Sequence, residues 1–261
     1  MSEISTIPAI AMHGVSVAAL RDPLLTVVAD VNWSVAPGEF WVIAGQEQSG
    51  KSDLLMLAAG LMLPAVGECQ IFGREPEVFG EAEPAERQRV GFVFQGGHLF
   101  NQLTLTENVA LPLRYAQNLS GAEAAKPVAA LLELFELTSL ADVTPANLAA
   151  NWRQRAALAR ALILQPEVLL LDNPLAGLNP RHRQWWLNFL EQLGRGHEFF
   201  GGRPLTLAVT TDDLHLWRQP SRKFAALHAG KFFPLGSWDD ENFSRHPAVK
   251  DLLFAPNENK I

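Results

Sequence analysis

The clearest chemistry in this chain lies in Gly45-Gln46-Glu47-Gln48-Ser49-Gly50-Lys51-Ser52, which fits the spacing G-x-x-x-x-G-K-[ST]. Glycines at both ends let backbone N–H groups turn inward around phosphate oxygens, and a helix starting there adds the positive end of its dipole. Lys51 suits the β- and γ-phosphates of a nucleoside triphosphate, and Ser52 suits a Mg²⁺ ion on them. The motif alone matches by chance often, so its setting decides. Phe40-Trp41-Val42-Ile43-Ala44 before it reads as a buried strand, and Lys51 to Gly60 after it has helical spacing. Far downstream, Val168-Leu169-Leu170-Leu171 runs into Asp172. A lone carboxylate at a strand end is usually a solvated cap. In a chain that also holds the phosphate loop, it is the natural second oxygen ligand for the metal.

The elements around these residues alternate. Residues 8–35 alternate apolar and polar side chains, as antiparallel strands do, and Pro37-Gly38-Glu39 is a turn. Val90 to Phe94 reads as a strand, and residues 104–165 repeat Leu and Ala at helical spacing. Ser120 and Glu123 form a capping box that opens one of these helices. The run Val168 to Asp172 has the look of a central parallel strand. A Trp-rich helix follows near 181–193, then strands at Leu205 to Thr210 and Lys223 to His228. Strand–helix alternation predicts an α/β fold with a mostly parallel sheet. Gly196 to Gly202 is a loop carrying Phe199-Phe200. Ala248 to Phe254 reads as a short amphipathic helix, and the chain from about Asn257 as a loose tail.

Composition narrows the function. The chain has 261 residues, 48% hydrophobic and 19% charged, with a net charge of −7. No basic run is available for nucleic-acid phosphates, so no nucleic-acid partner is expected. One cysteine, Cys69, allows no internal disulfide framework. The N-terminus lacks the pattern of a signal peptide. The longest apolar stretch, Leu54 to Val66, is broken by Gly60 and Pro64 and falls short of the roughly 20 residues of a membrane span. The seven His show no metal-ligand spacing, and the seven Trp suit core or interface positions.

With these residues in place, the sequence resembles the ABC-transporter ATPases over nearly its whole length. Gln95, after Val90-Gly91-Phe92-Val93-Phe94, looks like the family's Q-loop glutamine, which touches the metal or attacking water and faces the membrane subunit. Leu148 to Arg155, followed by Ala156-Ala157-Leu158-Ala159-Arg160-Ala161, stands where the signature motif belongs. Leu171-Asp172-Asn173-Pro174-Leu175-Ala176-Gly177-Leu178-Asn179-Pro180 is similar to the Walker B strand and D-loop, and Val209-Thr210-Thr211-Asp212 to the switch-histidine segment. Within the family, Phe94 to Thr104 and Glu107 to Arg114 are most similar to the lipid-transport branch that works with MCE-domain proteins.

The resemblance implies a P-loop NTPase of the ABC type. It has a RecA-like core, an N-terminal antiparallel β part and a helical insertion at about 100–165, with the domain over 1–240 and the tail 241–261 as a possible dimer contact. ATP would lie on Gly45, Gln46, Glu47, Gln48, Ser49, Gly50, Lys51, Ser52, Asp53 and Gln95. Mg²⁺ would lie on Ser52, Gln95 and Asp172. The partners implied are a membrane permease and a second ATPase subunit, identical or not. The implied place is the cytoplasm, peripheral at the inner face of the membrane.

The departures from the pattern are as informative. The family's catalytic Glu is Asn173, which can orient water but cannot take its proton. The switch histidine is Thr211, and the D-loop aspartate is Asn179. The signature Leu-Ser-Gly-Gly-Gln reads Leu148-Ala149-Ala150-Asn151-Trp152, losing a hydroxyl donor and two glycines. Leu119-Ser120-Gly121 is a decoy that opens a different helix. Gln48 replaces a glycine of the phosphate loop. Asp53 stands where a Thr would meet the α-phosphate, and neither Ala18 nor Ala19 supplies the aromatic that stacks on adenine. No catalytic residue is intact. The sequence therefore predicts an ATP-binding subunit with impaired or absent hydrolysis. The alternatives are a scaffold that binds no ATP and an active ATPase with reassigned residues.

Overall fold

The alternating N-terminal stretch folds into an antiparallel pair, β1 (Ile10–Ala19) and β2 (Asp22–Val35), which runs from Ile10 opposite Val35 to Ala19 opposite Asp22 with register shifts beyond Met12. The computed structural model describes residues 7–76, 84–219, 221–240, 243 and 246–253. The chain divides into two units, Met1–Gly80 with Thr206–Ile261, and Glu81–Leu205. The second unit is wider than the segment 100–165 because it includes two strands and the Trp-rich helix. Residues 254–261, with the expected tail from Asn257, lie outside the described residues.

In the first unit, β3 (Phe40–Gly45) is buried along its length and lies parallel to β7 (Thr206–Thr211) and β8 (Arg222–His228). A parallel strand covered on both faces has no polar side to show, which is why Phe40 to Ala44 is an unbroken apolar run. Helix α1 (Lys51–Ala58) buries Leu54, Leu55 and Leu57 and packs on β1, β3 and β7. Two strands have no clear sequence signal, β4 (Val66–Ile71) and β9 (Lys231–Ser237). In β4 only Cys69 is buried, so no alternation marks it. A side chain at Gly67 would put its Cβ 2.4 Å from the Gly14 carbonyl oxygen, so this tight pairing with β1 admits only glycine. In β9, Pro234 and Gly236 interrupt the pattern, and the ladder to β8 slips between Phe224 and Ala225. The strand order of this unit is β4-β1-β2-β9-β8-β3-β7. Burial pushes the Cys69 thiol up to about 12, which leaves it inert at neutral pH. A C-terminal helix forms over Pro247–Leu253 and packs against β8 of its own unit, while Phe254 lies outside the described residues.

The second unit pairs β5 (Val90–Val93) in parallel with β6 (Val168–Leu171). Around them lie α2 (Pro84–Arg87), α3 (Leu105–Ala116), α4 (Gly121–Leu134), α5 (Ala150–Leu162) and α6 (Pro180–Arg195). Helices α3, α4 and α5 pack on one another. The capping box at Ser120 and Glu123 forms, and a second one at Thr104 and Glu107 opens α3. Trp186 is fully buried in α6, and Trp185 stacks on Phe189 with ring centres 5.1 Å apart. The segment Gly196 to Gly202 closes on itself through a 3₁₀ turn, Glu198–Phe200. Among the described residues no helix is long and apolar enough to cross a membrane.

Candidate functional site

The phosphate loop leaves β3 at Gly45 and enters α1 at Lys51. Two glycines are required by space. A Cβ at Gly45 would lie 2.4 Å from Ser49 Oγ, and one at Gly50, with φ +88°, would lie 2.7 Å from Val28 Cγ2. Between them Gln48 holds φ +61°, a left-handed conformation that costs an L-residue roughly 1 kcal/mol and a glycine nothing. This is the physical content of the missing glycine. Gly50 caps α1 without a side chain, so the first-turn N–H groups are left for the loop and what it holds. The Lys51 amine folds back and donates to the Gly45 and Gln46 carbonyl oxygens at 2.6 Å each. Ser49 Oγ is buried in the loop with no hydrogen-bond partner among the described residues. A cradle that excludes side chains, a lysine tip and an orphaned hydroxyl are what a phosphate group fits. Asp53 turns its carboxylate onto the backbone N–H of Leu20, 2.9 Å away.

Thr211 sits opposite Ala44 in the β3–β7 ladder, directly beside the start of this loop. Its hydroxyl donates to Asp213 O at 3.0 Å and accepts from Asp213 N–H at 3.1 Å. The side chain at the switch position is thus engaged in a local turn and 2% exposed.

In the second unit, Gln95 and Asp172 follow the ends of neighbouring strands, because Val93 pairs with Leu171. The Asp172 N–H donates to Val93 O at 2.8 Å, and its carboxylate is buried. Asn173 takes φ +43°, the left-handed region that asparagine tolerates better than glutamate does. Gln95 is exposed, on a turn where Gly96, Gly97 and His98 all have positive φ. Arg160 pins that turn through Gly97 O, and a Cβ at Gly97 would lie 2.9 Å from Arg153 O. Asn179 accepts the His182 N–H and caps α6, a role an aspartate would fill equally.

The altered signature forms the start of α5. Ala149 is its N-cap residue, with φ −65° and ψ 152° but no side chain to accept a hydrogen bond. Arg153 steadies the approach by donating to Leu148 O at 2.6 Å. Trp152, in place of the signature glutamine, lies edge-on to His182, and its ring is 4.9 Å from the Arg155 guanidinium. Arg155 also stacks on Trp185 at 3.8 Å and pairs with Glu136 at 2.7 Å. Burial, followed by the nearby Arg155 cation, holds the His182 imidazole below its ordinary value, so it is neutral at pH 7. Ala149→Ser restores a cap at a backbone already shaped for one. The expected result is a gain of about 1 kcal/mol in urea unfolding with unchanged slope.

One organising residue was not singled out in the sequence. Asn108, fully buried on α3, accepts the Phe100 N–H at 2.8 Å and donates to the carbonyls of Phe100, Leu103 and Thr104 at 3.0–3.1 Å. It fixes the loop that carries Phe100, which is 58% exposed. An amide among the buried Leu105, Val109 and Leu113 was the available signal. The three-dimensional structure brings Gly45–Asp53 and Thr211 together in one unit. Gln95, Asp172, Asn173, Asn179 and Ala149–Asn151 belong to the other.

This chain has many known relatives. The family model described as ABC transporter matches residues 28–176. An ABC transporter ATP-binding protein of Methanosarcina acetivorans is 36% identical over 208 residues, covering 76% of this chain and 72% of its own length. A sulfate/thiosulfate import ATP-binding protein of Synechococcus elongatus is 40% identical over 210 residues, covering 80% of this chain, which spans 58% of that protein. Among solved structures, the dimeric post-hydrolysis state of the ATP-binding cassette MJ0796 with ADP and Pi is similar. It has a TM-score of 0.75 and 28% identity, covering 88% of this chain and 100% of that one.

Proposed function

This chain belongs to the ABC transporter ATP-binding family, and from that premise we propose that it binds ATP, signals nucleotide state to a membrane permease, and hydrolyses ATP slowly or not at all. The observation that carries the reading is Asn173, an amide directly after the buried Asp172, at the position of the water-activating carboxylate. Loss of a general base alone lowers a rate roughly 10²–10⁴-fold. Thr211, engaged with Asp213, offers the γ-phosphate no imidazole, and Ala149 offers it no hydroxyl.

The chain's own residues retain the binding functions. Lys51 and the loop N–H groups would hold the phosphates, and Gly45 and Gly50 keep side chains out of their way. Ser52, beside the loop in the first unit, is a hard oxygen donor suited to Mg²⁺, which would neutralise phosphate charge; Gln95 and Asp172 are donors of the same kind in the second. Lys51→Ala should weaken ATP binding by the equivalent of a charge-assisted hydrogen bond, about 2 kcal/mol or roughly thirtyfold. Equilibrium binding to the purified chain tests this. No binding by the parent chain would favour a non-enzymatic scaffold, for which Gln48 and Asp53 are the reasons in hand. Phosphate release by the reconstituted complex tests for reassigned catalytic residues.

The partners follow from surfaces. Phe100 and Tyr115, two large aromatic side chains, are 58% and 83% exposed, the first on the loop after Gln95 and the second on α3. We place the permease contact on the segment after Gln95, through Leu99, Phe100 and Leu103. Phe100→Asp should abolish co-purification with the permease while the thermal unfolding of the chain stays unchanged. An intact complex would remove this contact. A second ATPase subunit, at the cytoplasmic face of the membrane, completes the proposed assembly. Lipid is proposed as cargo on the segment Phe94 to Arg114 alone. Mass spectrometry of molecules co-purifying with the complex checks it, and a bound polyamine, amino acid or sulfate would overturn it.

A further inference from the structure

We infer that Asp53 is a latch that couples the β1–β2 turn to occupancy of the phosphate loop. The inference rests on the nucleotide-binding reading of that loop. Asp53 lies in the first turn of α1, two residues beyond Lys51, and its carboxylate accepts the Leu20 N–H across 33 residues of sequence. The turn it holds is irregular, with Leu24 N–H donating to Asp22 Oδ1 at 3.1 Å as its other side-chain bond. The ladder slips between Ala18, opposite Thr26, and Ala19, opposite Asp22, and Leu20, Leu24 and Leu25 are 57%, 96% and 54% exposed. Just beyond the turn, β2 presses on the loop itself. The Val28 and Val27 methyl groups would lie 2.7 and 3.1 Å from a Cβ at Gly50. The hairpin thus touches the phosphate loop at a fixed steric point and at one charged hydrogen bond.

That bond places a carboxylate beside a loop built for anions. Phosphate entering the loop repels the Asp53 charge, so the carboxylate shifts and the Leu20 N–H is released. The turn then loosens and presents Leu20, Leu24 and Leu25 in a second arrangement. Coupling is reciprocal, so a held latch weakens phosphate binding as phosphate weakens the latch.

Two variants separate charge from hydrogen bond. Asp53→Asn keeps an acceptor for Leu20 and removes the charge, whereas Asp53→Ala removes both. Binding of Mg·ATP and of inorganic triphosphate is measured together with amide hydrogen exchange over residues 18–26. Both variants should bind both probes about tenfold tighter than the parent chain. In the parent, Leu20 exchange should be slow and rise about fivefold or more with ATP. It should stay slow in the Asn variant and fast in the Ala variant, with or without ATP. Equal Leu20 exchange in the parent and Ala chains overturns the latch. Measured binding with no exchange response overturns the coupling alone. Absence of binding in every chain overturns the nucleotide reading and the coupling with it.

Discussion

Asn173→Glu alone is expected to leave ATP hydrolysis at background, with turnover returning only when Asn173→Glu, Thr211→His and Ser-Gly-Gly at Ala149 to Asn151 are combined. Three separate deficits explain the threshold. A glutamate at 173 restores a proton acceptor. It must also adopt the φ of +43° that Asn173 holds, at a strain of roughly 1 kcal/mol. At 211 the native hydroxyl is engaged with Asp213, so only a longer side chain reaches outward from that turn. At 149 the helix start has the cap backbone but no oxygen. Groups that act on one transition state are strongly non-additive, so repairing one deficit reveals little while the others persist. Steady-state phosphate release on the single, double and combined variants checks this, with Lys51→Ala in the combined background as the control. Full activity from Asn173→Glu alone would show that Thr211 and the altered signature are not deficits.

The second large effect is on stability. Asn108→Ala should lower unfolding free energy by about 2 kcal/mol, because it removes four hydrogen bonds from part-buried backbone groups. The Phe100 N–H loses its acceptor, and the carbonyls of Phe100 and Leu103 lose the donor that the fully buried Asn108 supplies. Asn108→Asp should be at least as damaging, since it sets a buried carboxylate against carbonyl oxygens. Both changes free the loop bearing Phe100, so permease binding should weaken even in the folded fraction. Urea titration reads the first effect and co-purification the second. A loss below about 0.5 kcal/mol would mean that solvent satisfies those groups.

Much of this was legible in the sequence for identifiable reasons. The strands β3 and β6 announce themselves because a doubly covered strand is apolar throughout. The phosphate loop announces itself because Gly45 and Gly50 answer steric demands that no other residue meets. The cap at Ser120 is a local hydrogen-bond pattern, complete within four residues. What escaped depends on distant partners. Strand β4 is held by backbone pairing to β1, not by buried side chains, and leaves no alternation. The bond from Asp53 to Leu20 joins residues 33 apart, and the Asn108 bonds, though within eight residues, depend on the path of an irregular loop that spacing does not announce. The sequence exposes the missing chemistry at Asn173, Thr211 and Ala149, while only the structure shows Thr211 in a turn of its own and Ala149 as an empty cap.

The central claim is that this chain holds ATP without consuming it. The most direct measurement is the identity of the nucleotide recovered from the purified chain after prolonged incubation with radiolabelled ATP and Mg²⁺. The account predicts bound nucleotide recovered as intact ATP, and far less recovered from Lys51→Ala. Recovery as ADP with stoichiometric phosphate, abolished in Lys51→Ala, would contradict it, and so would a parent chain that retains no nucleotide at all.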